Sequence, residues 1–285
     1  MYDVITVGSN TLDVFARASF SELIKIKQPK ETVDLLAFPS GSKILIKDLE
    51  FTIGGGGTNT AFSLSRLGLK VAYMGKLGDD MVGKMIEKEL QKEGIKHLCV
   101  HCKGKSGYSL ILGTLEHDRT ILTYKGVNDT LKFKEVPLKK LKTKCFYFSS
   151  MVGESYKTLE KLAEYSEKNK IKIAFNPSTY LAEKGASFLR KILSRTYLLV
   201  LNKEEACLIA GHEDTEGLLF KLKGLGPKIV VVTDGKKSIN VVDDKFIYSC
   251  KPPKIKIVDA TGAGDAFAST LLSAIIRKKP IDFAI

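Results

Sequence analysis

The stretch Tyr197-Leu-Leu-Val-Leu-Asn-Lys-Glu-Glu-Ala-Cys-Leu-Ile-Ala210 combines the two patterns that decide the fold. Its first residues form a continuous apolar run, which is typical of a strand buried on both faces. Asn202 then supplies a side chain that commonly caps the start of a helix, and two acids follow in what would be the first helical turn. The stretch therefore predicts a buried strand that leads directly into a helix.

The same succession recurs along the chain. Apolar runs predict further strands at 4–7, 71–74, 145–148, 171–175 and 229–233, and helical spacing predicts helices at 58–67, 81–93, 156–169 and 182–193. Alternation of strands and helices favours a mainly parallel sheet that is covered by helices on both faces. The predicted fold class is therefore α/β.

Two strand-like segments, at about 11–52 and 99–125, stand outside this alternation. Within them, the runs at 44–46 and 51–53 are predicted as two strands flanking a turn. The runs at 108–112 and 120–124 are predicted as a hairpin. We expect both segments to form a small β-sheet lid on the α/β core, within a single domain that spans residues 1–285.

Composition limits the class of protein. The chain has 285 residues, of which 44% are hydrophobic, so it can bury a large core. Its first residues lack the charged start and cleavage site of a signal peptide, and we find no apolar run long enough to cross a membrane. We therefore expect a cytoplasmic protein that has no membrane partner.

The net charge of +13 raises the question of a nucleic-acid partner. However, the lysines are distributed over the whole chain and alternate with glutamates, as at 87–89 and 154–170. This pattern favours a solvated charged surface over a basic binding stripe. We expect no nucleic-acid partner, while an anionic substrate remains compatible with the charge.

One group of cysteines and histidines has the composition of a metal site. Cys99 and Cys102 lie near His97, His101 and His117, which is the composition of half a zinc site. A second well-spaced pair of ligands is missing from the sequence. We therefore favour reduced, unliganded thiols for the five cysteines of the chain.

Two glycine-rich stretches are candidates for ligand binding. Gly54-Gly-Gly-Gly-Thr-Asn59 lies between a predicted strand and a predicted helix, so its backbone can approach a polar ligand closely. It lacks the third glycine and the later acid of a dinucleotide-binding fingerprint. The complete Gly-x-x-x-x-Gly-Lys-Ser/Thr sequence of a P-loop does not occur in the chain, since Gly104-Lys-Ser106 has Cys99 where the first glycine should stand, and this excludes that class.

The second stretch is Asp259-Ala-Thr-Gly-Ala-Gly-Asp-Ala-Phe267, between an apolar run ending at Val258 and a helix expected to begin near Asp265. Its glycines would direct several free N–H groups to one point, where an anion could bind. A carboxylate there would repel the anion, unless it accepts a proton from a nucleophile that attacks the anion. This arrangement suits phosphoryl transfer, whereas the alternative is an ordinary acid at a helix start.

With these motifs, the chain resembles the ribokinase-like (PfkB) carbohydrate and nucleoside kinases. The resemblance covers nearly the whole chain, and the motifs stand in the family's order: 54–59, 76–80 with Gly83, 202–205, 233–235 and 259–265. It implies a three-layer α/β/α core with a β lid. It also implies an ATP-dependent kinase that phosphorylates a hydroxymethyl group of a sugar, with a nucleoside as the alternative substrate.

The resemblance implies the catalytic and substrate-binding residues. Asp265 would act as the base, and the amides of Gly262, Ala263 and Gly264 would form an anion hole. Hydroxyl groups of the substrate would be bound by residues from the first strand end and the glycine run, namely Asn10, Asp13, Gly54, Gly55 and Asn59. As alternatives, Asn10 and Asp13 could cap the segment after the first strand, and Asn59 could bond within its own turn.

The resemblance also implies residues for ATP and its ions. Asn202 and Glu205 would organise Mg²⁺ and its waters, or they could simply cap a helix. Thr233 and Gly235 would line the nucleotide. A monovalent cation, usually potassium, would be held by oxygens of two residues of the second glycine stretch, Asp259 and Thr261. By the same resemblance, the lid could mediate a homodimer.

One position of the first glycine run departs from the family's usual pattern, and two charged residues of the lid are further candidates for substrate binding. Gly56 stands where proteins close to ribokinase usually have lysine, which makes ribose a less favoured substrate. Arg119 and Lys125 flank a predicted lid strand, where they could contact a phosphate or carboxylate of the substrate or could be solvated edge charges.

Only 20 residues follow Asp265, fewer than is usual in the family. We therefore expect a shortened C-terminal part and weakened nucleotide binding. This expectation motivates a rival from another class, a catalytically weak nucleotide- or sugar-binding protein.

Overall fold

A computed structural model describes residues 1–18, 22–27, 32–113, 119–212, 214–255 and 261–285 of the protein. The strands are β1 Tyr2–Val7, β2 Thr11–Ala18, β3 Glu22–Lys27, β4 Thr32–Ala37, β5 Ile46–Gly54, β6 Val71–Met74, β7 Lys76–Gly78, β8 Lys96–His97, β9 Val100–Cys102, β10 Tyr108–Gly113, β11 Arg119–Tyr124, β12 Thr143–Phe148, β13 Lys172–Phe175, β14 Leu198–Asn202, β15 Ile229–Asp234, β16 Ser238–Val242 and β17 Ile247–Cys250. The helices are α1 Gly56–Arg66, α2 Met81–Lys92, α3 Gly153–Lys168, α4 Ser178–Ala182, α5 Gly185–Leu193, α6 Lys203–Ala210, α7 Thr215–Gly224, α8 Ala263–Ile276 and α9 Ile281–Ala284.

A large sheet forms the centre of the fold. Within the described residues it contains nine strands in the order β17-β16-β15-β14-β13-β12-β1-β6-β8. The strands from β15 to β8 run parallel, and β16 is antiparallel to both of its neighbours. The prediction of a mainly parallel sheet is therefore confirmed.

The central strands of this sheet are buried on both faces, which explains their continuous apolar runs. Val4 and Tyr147 pack on one face in a core that also contains residues of α1, α2 and α8. Ile5 and Phe148 pack on the other face with residues of α3, α5, α6 and α7. The predicted α/β/α layering is confirmed, since successive residues of one strand enter different cores.

A second, four-stranded sheet forms the lid, in the order β11-β10-β2-β5. Its strands fall within the predicted lid segments, together with the separate hairpin of β3 and β4. The prediction of two strands at 44–46 and 51–53 was wrong, because β5 continues from Ile46 to Gly54 and pairs with β2. The polar residues at 47, 48 and 50 are exposed positions of that strand and do not form a turn.

Other departures have local causes. The helix predicted at 182–193 is divided into α4 and α5, and α5 begins at Gly185, whose φ of +74° is a left-handed conformation that favours glycine. The strands β16 and β17 and the helix α7 were not predicted.

In the part of the chain that the structure describes, we find no helix with the length and apolar character needed to cross a membrane.

Candidate active site

A cleft of about 780 Å³ lies between the lid strands β2 and β5, the helices α1 and α2 and the start of α8. The cleft brings together residues from distant parts of the chain, from Leu12 of β2 to Asp265 of α8. Its lining includes six of the residues that the sequence analysis selected, namely Asp13, Gly54, Asn59, Thr261, Gly262 and Asp265.

The start of α8 lies at this cleft, which is lined there by Thr261, Gly262 and Asp265. The helix begins at Ala263, two residues before the predicted position, and Gly262 precedes it with a left-handed φ of +73°. The first N–H groups of a helix have no partner within the helix and form its positive end. Among the described residues, apart from the chain neighbours and the backbone of α8, no atom lies within 4 Å of the position that a Cβ would occupy on Gly262 or Gly264. No described side chain therefore fills the space beside these two glycines.

Asp265 lies in the first turn of α8 and is held by a residue of α1. The Nδ2 of Asn59 donates a hydrogen bond of 2.9 Å to its Oδ2. Burial raises the pKa of the Asp265 carboxyl, and the hydrogen bond from Asn59 opposes that effect by stabilising the ionised form. The arrangement is that of a carboxylate whose affinity for a proton is greater than that of an exposed aspartate.

Asn10 and Asp13 differ in their exposure to the cleft. Asp13 lines the cleft, and its Oδ1 accepts a hydrogen bond of 2.7 Å from the Thr11 hydroxyl. Asn10 is fully buried, and its Nδ2 donates to the Tyr73 hydroxyl at 2.7 Å and to the Lys76 carbonyl at 2.9 Å. Asn10 is not among the described residues that line the cleft, and its contact with a substrate stays a prediction.

The glycine run positions α1 by close packing of the backbone. Gly55 caps α1 with a φ of +97°, and a Cβ built there would lie 2.6 Å from the Ser9 carbonyl oxygen and 2.7 Å from the Asn10 Cα. Both conditions require glycine. The start of α1 can thus lie directly against the segment after β1, which brings Asn59 to the cleft.

The predicted nucleotide residues lie at the ends of the adjacent strands β14 and β15. Asn202 and Thr233 are paired in the register of these strands, and Gly235 lies in the turn that follows β15, with open space around it. The Asn202 side chain accepts from the Glu205 amide at 2.8 Å, and Glu205 Oε2 accepts from the Asn202 amide at 3.0 Å. Asn202 and Glu205 therefore do cap α6, as the alternative interpretation held.

Glu205 is nevertheless an unusual capping residue. It is 6% exposed, and burial raises the pKa of its carboxyl, with further contributions from the charges of Glu204 and Asp265. The predicted nucleotide residues therefore include a buried carboxyl whose affinity for a proton is greater than that of an exposed glutamate.

Some predicted residues are not brought into this arrangement. Asp259 lies outside the described residues, as does the side chain of Arg119. The Nζ of Lys125 lies 4.2 Å from the centroid of the Tyr180 ring, a cation–π contact. Lys125 is therefore engaged with an aromatic ring near the lid.

Helix α2 forms one wall of the cleft, and this wall was not predicted from the sequence. Met85 and Glu89 line the cleft, four residues apart on one face of α2, and Glu93 follows at the same spacing. Two hydrogen bonds of 2.5 and 2.9 Å join Arg66 to Glu93 across the cleft wall. The helical spacing of residues 85, 89 and 93 was the signal that could have identified this wall.

The comparisons with known proteins agree with this architecture. The sequence profile described as pfkB family carbohydrate kinase matches residues 24–285. An uncharacterized sugar kinase of Archaeoglobus fulgidus is 28% identical over 225 residues, which cover 77% of this chain and 88% of the relative. A cytidine kinase of Thermococcus kodakarensis is 30% identical over 266 residues, which cover 88% of each chain.

Among solved structures, a ribokinase from Thermotoga maritima aligns with a TM-score of 0.82 over 100% of this chain and 89% of that chain, at 19% identity. At this identity the likeness shows the fold alone, and the fold is ribokinase-like. Together with the profile match, it follows that the protein belongs to the pfkB family of carbohydrate kinases.

Proposed function

We propose that the protein is an ATP-dependent kinase that phosphorylates a hydroxymethyl group of a sugar, with Asp265 as the catalytic base. One observation carries the proposal: the Asp265 carboxyl lies in a cleft at the start of a helix and is held there by Asn59. A proton acceptor and an anion-binding helix end are the two groups that transfer of a phosphoryl group to an alcohol requires.

In the proposed reaction, the carboxylate of Asp265 accepts the proton of the substrate hydroxyl. The oxygen of that hydroxyl forms a bond to the γ-phosphorus of ATP, and the bond from the γ-phosphorus to the bridging oxygen breaks, which releases ADP. The amides of Gly262, Ala263 and Gly264 stabilise the charge that develops on the phosphoryl oxygens. Closure of the lid would exclude water, which would otherwise accept the phosphoryl group.

We propose that the substrate binds against the polar groups of Asp13, Gly54 and Asn59. These residues line the cleft beside Asp265, and short polar side chains of this kind bind vicinal hydroxyl groups. Asn10 and Gly55 support them from beneath through the packing described above. In this proposal, Asn10 is a positioning residue.

Residues at the ends of β14 and β15 are proposed to bind ATP, namely Asn202, Glu205, Thr233 and Gly235. The buried carboxyl of Glu205, with its raised pKa, lies within electrostatic range of Asp265, so a divalent cation would offset the negative charge there. This donor set suits Mg²⁺, which prefers oxygen ligands and retains waters. Bound Mg²⁺ would neutralise charge on the phosphates of ATP.

A potassium site at Thr261 and Asp259 remains a proposal that rests on the family resemblance. Thr261 lines the cleft next to Gly262, which is compatible with such a site.

The pH dependence of the reaction tests the role of the Asn59 contact. Only ionised Asp265 can accept a proton, so kcat/KM is expected to fall as the pH drops through the raised pKa of this group. Asn59→Ala removes a hydrogen bond that lowers this pKa, and the acid limb should therefore move to higher pH. Thr11→Val is the control, because it removes a hydrogen bond to Asp13 and leaves Asp265 untouched. Equal acid limbs in the wild type and Asn59→Ala would contradict the assignment.

A panel of sugars and nucleosides, assayed for ATP turnover with and without K⁺, tests the function. We expect turnover of a sugar that has a primary hydroxyl group. The second candidate is a nucleoside kinase, since the relative from Thermococcus kodakarensis is named a cytidine kinase. Turnover of nucleosides alone would select this candidate. Binding of ATP without turnover of any compound would instead support the rival, a weakly catalytic binding protein.

We further propose that residues 1–285 act as one domain and that two chains associate through the lid. Several large apolar side chains of the lid strands are about half exposed: Leu49 (49%), Phe51 (53%), Leu122 (54%) and Tyr124 (55%). An apolar surface of this kind is typical of a protein interface. Light scattering is expected to give twice the mass of one chain, and Leu122→Lys should shift the protein towards the monomer. A monomeric wild type would refute this association.

A further inference from the structure

Three potential metal ligands meet on the face of α2 that is turned away from the cleft. Glu87 of α2, His97 of β8 and His101 of β9 each direct one ligand atom to a common point, and these atoms all lie within 4.8 Å of one another. The Oε1 of Glu87 lies 3.0 Å from His97 Nδ1 and 3.0 Å from His101 Nε2. The cluster therefore joins three elements of the fold at one carboxylate oxygen.

These separations are close to those around a bound zinc ion. With zinc–ligand bonds of about 2.0–2.2 Å, the ligands of a tetrahedral site lie roughly 3.3–3.5 Å apart. The two separations of 3.0 Å would thus change by only a few tenths of an ångström. Two histidines and one glutamate also form a ligand set that zinc commonly uses, with water at the fourth position.

The ring nitrogen of His101 that would not bind the metal faces a carboxylate. His101 Nδ1 lies 4.0 Å from the Asp79 carboxylate, a distance that one water could bridge. Histidines that bind metals usually donate the N–H of the nitrogen that does not bind the metal to a carboxylate or another acceptor, and this contact fixes the ring orientation. His97 Nε2 lies 3.3 Å from the side-chain nitrogen of Gln91, so the Gln91 amide would have to turn and accept through its oxygen when His97 binds zinc through Nδ1.

The accessibility of the three side chains suits entry of an ion. The side chains of Glu87 and His97 are 22% and 25% exposed, and that of His101 is 44% exposed. An ion could reach the cluster from the side of His101, where a water ligand has room. We propose that Glu87, His97 and His101 form a zinc site that joins α2 to β8 and β9.

This ligand set differs from the one considered from the sequence. Cys99 and Cys102 do not belong to the cluster, since the ligand atoms that meet among the described residues are those of Glu87, His97 and His101. Glu87 takes the place of the cysteines as the third ligand, and it comes from a helix that precedes both histidines in the chain.

Calorimetric titration of the metal-free full-length chain with ZnCl₂ tests the proposal. One zinc ion is expected to bind the wild type, and His101→Gln should weaken the affinity by about 100-fold or more. His101 is partly exposed, so this variant is expected to fold. His212→Gln, which changes an exposed histidine outside the cluster, is the matched control and should bind zinc as the wild type does. Equal affinities of the wild type and His101→Gln would overturn the proposal and leave a hydrogen-bonded cluster only.

Two further measurements distinguish this site from binding elsewhere. The Co²⁺-substituted protein should show visible bands of a tetrahedral site without a charge-transfer band from thiolate, and a thiolate band would overturn the ligand set. Zinc at about 100 times its Kd should raise the Tm of the wild type by about 5 °C. The same shift in Glu87→Gln would contradict the structural role, because α2 would no longer be joined to the two strands.

Discussion

Asp265→Asn is expected to lower kcat by about 10²-fold or more, because asparagine cannot accept the proton of the substrate hydroxyl. Binding of ATP should change little, since the amides at the start of α8 and the residues at the ends of β14 and β15 are unaltered. The measurement is steady-state kinetics on the substrate found in the panel, combined with titration of ATP in its absence. A variant that keeps near-normal kcat would show that another group accepts the proton.

The thermal stability of this variant provides an independent check. Burial raises the pKa of Asp265 in the folded protein, so ionisation of this group above its ordinary pKa reduces the free energy of unfolding. Asparagine removes that cost and has almost the same shape. The Tm of Asp265→Asn at pH 7 should therefore equal or exceed that of the wild type. If the Tm falls strongly, loss of kcat would reflect misfolding and could not be assigned to chemistry.

Gly55→Ala is expected to lower the free energy of unfolding by roughly 4 kcal/mol, in two contributions. The φ of +97° is strained for alanine, and the added Cβ would lie 2.6 Å from the Ser9 carbonyl oxygen. The backbone of α1 would have to move away from β1 and would carry Asn59 with it. Urea denaturation measures the loss of stability, and kcat/KM should fall together with it.

Gly211→Ala separates the two contributions. Gly211 has a similar φ of +88°, but among the described residues no atom other than those of its chain neighbours lies within 4 Å of the position of its Cβ. This control should cost roughly 2 kcal/mol, from backbone strain alone. If Gly55→Ala costs no more than the control, close packing beneath the cleft does not require the glycine.

The residues that could be identified from the sequence are those whose structural roles depend on their neighbours in the chain. The glycines before α1 and α8 and the capping pair of Asn202 and Glu205 are visible as short motifs, because helix starts depend on neighbouring residues. The parallel sheet could also be predicted, because alternation of strands and helices is visible as a pattern along the chain. The strands β16 and β17, at one end of the sheet, were not predicted. They follow β15 without an intervening helix and pair antiparallel, so they do not belong to this alternation.

Contacts between distant elements could not be predicted in the same way. The burial of Asn10 depends on Tyr73 and Lys76, which are more than 60 residues away in the chain. The meeting of Glu87 with His97 and His101 depends on how α2 packs against short strands. The sequence offered the two histidines but not their partner, because a glutamate on an amphipathic helix looks like any other solvated acid.

The hydrogen bond between Asn59 and Asp265 spans 206 residues of the chain. A contact of such sequence separation closes a long loop, and in folding such contacts are slow to form. A ribosome that has translated only the first 200 residues has made the side of the cleft formed by β2, β5, α1 and α2 but not Asp265. With Asp265 as the proposed base, phosphoryl transfer requires a chain translated beyond this residue, and the appearance of activity would mark the moment at which the two sides of the cleft have met.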